Sequence, residues 1–381
     1  MTTCQTYNLA MPTSEPDSVS AALTARLRAV IEAEGGWLPF DRYMAEALYA
    51  PGLGYYANAS RKFGWLPESG SDFVTAPELS PLFGRALALQ VAQALQASGT
   101  RDIFEFGAGS GALAEQVLDA LAAAGVALDH YSIMDLSGTL RARQAQRLAR
   151  FGDTVRWLDA WPAEMRGVVL GNEVLDAMPV QLLARSEDGT QWLERGVVWH
   201  EGRLVFADRP TELAIPFDGP VLPGTVTEIH PQAEAFVRSL AGHLKAGAAF
   251  FIDYGFPEAE YYHPQRHQGT LMCHAAHRAD PDPLDRPGEK DITAHVNFTG
   301  IALAAQDAGL QVLGYTSQAR FLFNCGLLDL MAGADLKTKT MALKLVDEHE
   351  MGELFKVIAL GAPGLDLDPI GFTEGDRTHR L

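Results

Sequence analysis

The sequence predicts an α/β protein whose core is a mostly parallel sheet with helices on both faces. From about Asp102 onward, short apolar runs alternate with helical patterns, the order that is typical of β-α-β units. A glycine-rich turn joins the first of these strands to its helix, as in many open α/β sheets. The 381 residues, 47% of them hydrophobic, are enough to bury a large core as two domains or as one elaborated domain.

The N-terminal part is predicted to be helical. Residues 21–49 carry apolar side chains on one helical face, with a break at Gly35 and Gly36. A long apolar helix spans about 80–97, for which Ser80 is the candidate N-cap and Pro81 the first residue.

The predicted strands of the sheet are 103–106, 131–134, 155–158, 167–170, 248–252, 310–315 and 355–360. The helices predicted between and after them are 112–124, 138–150, 233–243, 300–308 and 326–331. Residues 181–230 contain alternating runs that predict inserted antiparallel strands. Residues 256–296 show almost no periodicity, and a loop of that length is usually functional.

Charge and cysteine content exclude several classes of protein. The formal net charge of −18 is opposite in sign to that of a general nucleic-acid binder, so we expect no nucleic-acid partner. The three cysteines, Cys4, Cys273 and Cys325, form no disulfide framework and suit a reducing compartment. No stretch approaches the ~20 apolar residues of a membrane span, and the N-terminus lacks the basic residues of a targeting signal. We therefore expect a cytoplasmic protein.

The strongest motif is the segment Glu105-Phe-Gly-Ala-Gly-Ser-Gly111, which follows a strand and opens a helix. Its glycines permit a tight turn and a close approach of the backbone to a ligand. They also fit a dinucleotide-binding fingerprint, or a turn without a ligand. Glu105 favours a ligand that carries an ammonium group and a sulfonium, because a carboxylate there would repel a pyrophosphate. The motif thus favours S-adenosylmethionine over NAD.

Two acids follow the next strands. Asp135 ends the second strand, where a carboxylate accepts hydrogen bonds from both ribose hydroxyls of a nucleoside. This position fits NAD equally well, and the alternative is that Asp135 only caps the following helix. Asp159 ends the third strand and is a candidate for contact with the adenine edge.

A second motif, Leu170-Gly-Asn-Glu-Val-Leu-Asp-Ala-Met-Pro-Val180, follows the fourth strand. Glu173 and Asp176 are three residues apart and would share one side of a helical turn, at the edge where open sheets bind ligands. Two carboxylates there favour a cationic substrate such as a guanidinium, which they would hold through two N–H groups. The alternative is structural, with Asp176 as a helix cap and Glu173 bonded to backbone amides.

A third group of polar residues surrounds the end of the fifth strand. Asp253 and Tyr254 end that strand, and the loop after it contains five histidines: His263, His267, His274, His277 and His295. Their spacing, with Cys273, matches no familiar zinc pattern, so we predict no metal site. The residues predicted to bind substrate are Tyr56, Asp253, Tyr254, His274 and His295.

The order of these motifs resembles that of class I S-adenosylmethionine-dependent methyltransferases. More closely, the sequence resembles the MidA family (domain of unknown function 185), which includes a mitochondrial complex I assembly factor with protein arginine methyltransferase activity. The resemblance covers about residues 37–360 and is carried by the segments 43–49, 54–56, 72–78, 105–111, 171–180, 253–255, 269–271, 291–298 and 351–357. Two departures concern the substrate side, where Asn297 replaces an expected Asp and residues 274–277 replace a more aromatic stretch.

The resemblance implies a Rossmann-like, mostly parallel seven-stranded sheet with an N-terminal helical region and inserted segments that form a second lobe. It implies that Glu173 and Asp176 are the catalytic residues at the mouth of the active site. The implied contacts of S-adenosyl-L-methionine are Thr75, Pro77, Glu78, Glu105, Gly107, Ala108, Gly109, Gly111, Asp135, Leu136, Asp159, Asn172 and Glu173. The implied partners are a protein substrate, such as a respiratory-complex subunit, and a second copy of the chain in a homodimer.

On this basis the chain divides into a disordered tail (1–20), an N-terminal helical or lid region (21–98) and the first part of a Rossmann-like cofactor-binding core (99–180). A β-rich insertion (181–230) is followed by more of the core (231–255), a loop insertion at the substrate cleft (256–299) and the rest of the core (300–362). Residues 363–381, rich in Gly, Asp and Pro, are predicted to be a frayed C-terminal tail.

Four functions compete at this stage. The leading one is methylation of a protein side chain, most simply arginine. A small-molecule methyltransferase of the same fold and a cofactor-binding assembly factor that acts by holding a partner are the alternatives. An NAD-linked oxidoreductase is disfavoured by Glu105 and by the lack of an evident catalytic Tyr/Lys or His pair.

Overall fold

The structure is a computed structural model that describes residues 16–58, 75–275 and 278–381. The helices are α1 (Pro16–Ala33), α2 (Phe40–Tyr49), α3 (Ala76–Leu79), α4 (Pro81–Ser98), α5 (Ala112–Ala123), α6 (Gly138–Leu148), α7 (Pro231–His243), α8 (Glu258–Tyr261), α9 (Phe298–Asp307), α10 (Gln318–Asn324), α11 (Leu327–Ala332) and α12 (Leu336–Lys344). The strands are β1 (Leu38–Pro39), β2 (Asp102–Phe106), β3 (His130–Met134), β4 (Val155–Trp157), β5 (Met165–Asn172), β6 (Gln181–Arg185), β7 (Trp192–His200), β8 (Arg203–Pro210), β9 (Val226–Ile229), β10 (Leu244–Phe256), β11 (Met272–Ala275), β12 (Arg278–Asp280), β13 (Asp291–Thr293), β14 (Val296–Asn297), β15 (Gln311–Ser317) and β16 (Phe355–Gly361).

A large sheet with the strand order β15-β16-β10-β5-β2-β3-β4 forms the centre of the molecule. The strands from β10 to β4 pair in parallel, and β16 pairs antiparallel with both β10 and β15. The short strand β14 adds to β10 beside this path, so the described part of the sheet has eight strands. The predicted mixed α/β fold with a large sheet is confirmed.

Strand β10 shows why the sheet must be covered on both faces. Its residues 248–252 are all buried. Phe250 packs in the hydrophobic cluster of α4 and α5, while Phe251 packs in the cluster of α7 and α9. Successive side chains of a strand point to opposite faces, and burying each phenylalanine stabilises the fold by about 1.5–3 kcal/mol. A continuous apolar run is therefore what a central strand of a three-layer fold requires.

The predicted boundaries of α4 are confirmed. The Ser80 hydroxyl accepts a hydrogen bond from the Leu82 amide at 3.3 Å, and Pro81 occupies the first helical position. The helix ends at Ser98 and is followed by Gly99, which adopts the left-handed conformation (φ 64°) that favours glycine.

Residues 181–230 form the predicted antiparallel strands, β6 to β9. Strand β1 joins them, so that the second sheet has the order β1-β7-β6-β9 with β8 beside β7. Helix α2 packs on this second sheet, since Tyr43 and Leu48 share a hydrophobic cluster with Leu182 and Val197.

Two predictions about irregular segments are wrong. Residues 256–296 are not structureless, because they contain α8 and a small sheet in the order β12-β11-β13. Residues 363–381 are not frayed: Phe372 is buried in the core, the Gln90 side chain accepts a bond from the Gly371 amide at 2.8 Å, and Asp376 accepts one from Tyr315 at 3.0 Å.

Some predictions fall where the structure gives no description. Of the predicted disordered tail, residues 1–15 lie outside the described residues, and α1 already begins at Pro16. Residues 72–74 of the segment 72–78, and His277, also lie outside the described residues. Over the ranges that are described, no helix combines the length and apolar character needed to cross a membrane.

Candidate active site

A cavity of about 1620 Å³ opens at the carboxyl ends of β2, β3, β4, β5 and β10. This is the edge at which open α/β sheets bind their ligands. Most of the predicted site residues line it, namely Tyr56, Thr75, Pro77, Glu105, Gly107, Ala108, Gly109, Asp135, Leu136, Asp159, Asn172, Glu173, Asp176, Tyr254, His274 and His295. The structure therefore brings together residues that are far apart in the sequence.

The glycine-rich loop between β2 and α5 has a backbone that other residues rarely adopt. Gly107, Gly109 and Gly111 all have positive φ, at 63°, 53° and 83°. A Cβ atom on Gly107 would lie 3.0 Å from Val174 of the facing loop. The loop thus needs glycine for conformation and, at Gly107, for space.

Glu105 lies at the base of the cavity and is 2% exposed. Its Oε2 accepts a hydrogen bond from the Tyr131 hydroxyl at 2.8 Å. Burial raises the pKa of Glu105 to about 8, against the effect of the Tyr131 bond, and the nearby Asp135 raises it further. A buried carboxyl with few donors is stabilised in its ionised form when a cation binds beside it.

Replacing Glu105 with glutamine is expected to change how stability depends on pH in the protein without cofactor. Between the ordinary pKa of 4.5 and about 8, the folded state keeps a proton that the unfolded chain loses. The free energy of unfolding of the natural protein therefore falls as pH rises, by up to about 1.4 kcal/mol per pH unit from this group. The variant lacks this decrease, so the Tm of the variant minus that of the natural protein should increase from pH 5 to pH 8. Thermal melts at several pH values measure this difference, and the exposed Glu212→Gln is the control. Plots of Tm against pH that run parallel for Glu105→Gln and the natural protein would contradict the prediction.

Asp135 and its neighbours form the side of the cavity next to the glycine loop. The Asp135 carboxylate accepts bonds from the Ser137 amide at 2.9 Å and from Gln144 at 2.8 Å, and burial raises the pKa of Asp135. Ser137, rather than Asp135, caps α6, because its hydroxyl accepts the Leu140 amide at 3.4 Å. The helix-cap alternative for Asp135 is thus not what the structure contains.

The rim beyond Asp135 combines an exposed apolar group with an ion pair. The Leu136 side chain is 87% exposed. Asp159, also at the rim, accepts a bond from Arg141 at 2.5 Å. Arg141 lines the same cavity, although no motif of the sequence indicates it.

Glu173 and Asp176 lie in an irregular turn after β5, not in the helical turn that the spacing suggested. Glu173 has a positive φ of 55°, which is rare for a residue with a side chain. Its carboxylate accepts bonds from the Asn172 side chain at 2.9 Å and from the Ala76 amide. Burial, followed by repulsion from Asp176, raises the pKa of Glu173 to about 8.

Asp176 is a buried carboxylate whose two oxygens differ in their partners. Its Oδ2 accepts a hydrogen bond from the Tyr254 hydroxyl, whereas Oδ1 accepts no well-aligned hydrogen bond from the described residues. Burial raises the pKa of Asp176 to about 6, although the Tyr254 bond and the nearby amides of Ala177 and Asp176 lower it. A buried acceptor without a donor costs stability, and such groups occur where a ligand supplies the donor.

Asp253 was predicted to bind substrate, but it lies beneath the turn and outside the lining of the cavity. Its Oδ2 accepts the amides of Val174, Leu175 and Asp176 at 3.1, 2.9 and 3.2 Å. Asp253 therefore holds the turn that presents Glu173 and Asp176.

Two predicted cofactor contacts also lie outside the lining. Gly111 forms the N-terminal end of α5, where a Cβ atom would be 3.5 Å from Leu148. The Glu78 carboxylate accepts bonds from Ser110 and, at 2.9 Å, from Arg147. Glu78 thus ties the segment after residue 74 to the glycine loop.

Asp291 is an acid of this site that the sequence analysis did not name as a site residue. It is 3% exposed, lines the cavity, and accepts the Tyr56 hydroxyl at 2.9 and 3.0 Å on its two oxygens. Tyr49 stacks on Tyr56 with ring centroids 5.6 Å apart, and Tyr254 packs against His295 at 5.1 Å. Asp291 reaches the cavity because β13 pairs with β11, a contact that no local pattern indicates.

The chain is similar to known proteins in sequence and in structure. Residues 86–316 match the profile of a family described as putative S-adenosyl-L-methionine-dependent methyltransferases. A crystal structure from Burkholderia thailandensis, bound to S-adenosyl-homocysteine, is 54% identical with a TM-score of 0.92 and covers 98% of this chain and 100% of that one.

Two curated relatives are more distant. The protein arginine methyltransferase NDUFAF7 of Xenopus tropicalis is 27% identical over 93% of this chain and 90% of its own length. The Mus musculus protein of the same name is 28% identical over 85% and 81%. The predicted family resemblance is confirmed, and the chain belongs to this family of S-adenosyl-L-methionine-dependent methyltransferases.

Proposed function

We propose that this methyltransferase transfers the methyl group to an arginine side chain of a protein. The observation that carries the proposal is the buried Oδ1 of Asp176, which accepts no well-aligned hydrogen bond from the described residues and lies beside Glu173 and Asp291 in one cavity. A guanidinium has five N–H donors and suits such a group of carboxylates. The names of the relatives, which are protein arginine methyltransferases, support the same substrate.

The size of the cavity also supports a large substrate. At about 1620 Å³ it exceeds the usual 300–1,000 Å³ of a small-molecule pocket. A cofactor and a peptide side chain together would use that space better than a cofactor and one small acceptor.

The proposed chemistry is an in-line displacement. A guanidinium nitrogen forms a bond to the methyl carbon while the bond from that carbon to the sulfonium sulfur breaks, and S-adenosyl-homocysteine leaves. The methylated nitrogen loses one proton, which Glu173 or Asp176 accepts and passes to solvent. Because the guanidinium stays protonated at any ordinary pH, the carboxylates act by holding it and by drawing its charge toward them.

For the cofactor, we propose that Glu105 faces the methionine end and that the 107–111 backbone passes beside it. Asp135 would accept the ribose hydroxyls, with Leu136 and Asp159 at the adenine. We further propose the seven-stranded class I sheet as the functional core, with the core segments 99–180, 231–255 and 300–362. The cytoplasmic location, the homodimer and a respiratory-complex substrate stay predictions.

The rate of methyl transfer should rise with pH. Glu173 and Asp176 must be ionised to hold a cation, and their pKa values without ligands are about 8 and 6. The sulfonium of the bound cofactor lowers both values, so kcat/KM for the protein substrate should climb below about pH 8 and level off above it. Glu173→Gln should remove the upper part of the climb. A profile that is flat or falls between pH 5 and 9 would contradict this assignment.

Mass spectrometry of cell protein with and without this chain tests the substrate class. Arginine peptides that carry additional methyl groups only in the presence of the chain are expected. Transfer of labelled methyl to a small molecule, with no labelled protein, would overturn the proposal.

A further inference from the structure

Gln144 of α6 is a fully buried polar residue that contacts three segments around the cofactor site. Its Nε2 donates to the Gly109 carbonyl oxygen at 3.0 Å and to Asp135 Oδ2 at 2.8 Å. Its Oε1 accepts the indole N–H of Trp157 at 2.9 Å. Both donor hydrogens and the acceptor are therefore used, each by a different part of the chain.

From these contacts we infer that Gln144 is a positioning residue that sets the glycine loop and the ribose-binding acid relative to each other. The inference rests on the proposed role of Asp135. One Asp135 oxygen is held by the Ser137 amide and the other by Gln144, so the carboxylate cannot rotate. The remaining lone pairs of the Asp135 carboxylate are then oriented before the cofactor binds, so binding does not cost the entropy of ordering them.

The bond to Gly109 has a second effect. It holds the Gly109 carbonyl toward α6, and one turn further along the helix Arg147 donates to the Ser110 carbonyl at 3.3 Å. Two consecutive carbonyls of the loop are thus held by one helix. An apolar residue of similar volume at position 144 would fill the space but would fix neither the loop nor Asp135.

Calorimetry with S-adenosyl-homocysteine tests this role. Gln144→Met should weaken binding by about tenfold or more, the usual effect of losing hydrogen bonds to a charged group. The matched control is Gln146→Met, the same change at an exposed position of the same helix, which should stay within about twofold. If Gln144→Met lowers the Tm strongly, its affinity is measured at a temperature at which circular dichroism shows the variant to be folded, with the natural protein at the same temperature.

A ligand without ribose hydroxyls separates positioning from general packing. The natural protein should lose affinity for 2′,3′-dideoxy-S-adenosyl-homocysteine, whereas Gln144→Met should discriminate less between the two ligands because its Asp135 is already misplaced. If Gln144→Met weakens the binding of both ligands by the same factor, the inference is overturned. Asp135→Ala separates the role of Gln144 from the proposed cofactor site on which it rests. If Asp135→Ala leaves binding unchanged, the proposed cofactor site is wrong. If Asp135→Ala weakens binding and Gln144→Met does not, only the role of Gln144 fails.

Discussion

Replacing Gly109 with valine is expected to abolish useful cofactor binding, with affinity for S-adenosyl-homocysteine reduced by about 100-fold or more. Gly109 has a φ of 53° and lines the cavity. A branched side chain there projects from the loop that the cofactor must approach, and it also disfavours the left-handed backbone. Calorimetry measures the loss of affinity directly.

The chain offers a control in Gly99, the exposed residue that follows α4. Its φ of 64° is close to that of Gly109, and a Cβ atom added there would meet nothing within 4 Å. Gly99→Val should therefore lose ~1–2 kcal/mol of stability through backbone strain, yet keep its affinity for the cofactor. If both variants lose affinity for the cofactor to the same extent, the loss comes from backbone strain alone and the loop does not face the cofactor.

The sequence was sufficient for the parts of the site that depend on neighbouring residues. The loop 105–111 follows a strand and opens a helix, and Asp135 and Asp159 follow the next two strands, so a parallel sheet brings all three to one edge. Only the β-α-β order and the right-handed crossover are needed for that inference.

Residues whose positions depend on distant pairing were not predictable. Asp291 lines the cavity because β13 pairs with β11, and residues 363–381 pack because Gly371 and Asp376 find partners on α4 and β15. Asp253 was predicted to bind substrate because it lies near the carboxyl end of a central strand. Its carboxylate instead accepts hydrogen bonds from the backbone amides of residues 174–176. Long-range contacts of this kind leave no periodic pattern.

Glu173→Gln is expected to slow methyl transfer by about 10²–10³-fold while sparing the affinity for the cofactor. Glutamine has nearly the same shape and keeps an acceptor for the Asn172 side chain, which lies 2.9 Å from Oε1. What it lacks is the negative charge that holds the guanidinium. Single-turnover kinetics at saturating S-adenosylmethionine, with calorimetry in parallel, separate the chemical step from cofactor binding.

Glu201→Gln is the matched control for this prediction. Glu201 also has a positive φ, at 48°, but it lies in an exposed turn between β7 and β8. Its variant should keep full activity, so that the loss at Glu173 cannot be assigned to strain in the left-handed backbone. If Glu173→Gln loses cofactor affinity and activity together, the residue supports the cofactor site rather than the substrate. If it loses activity in the assay yet restores the cellular role of the chain, holding a partner rather than methyl transfer is what the cell requires.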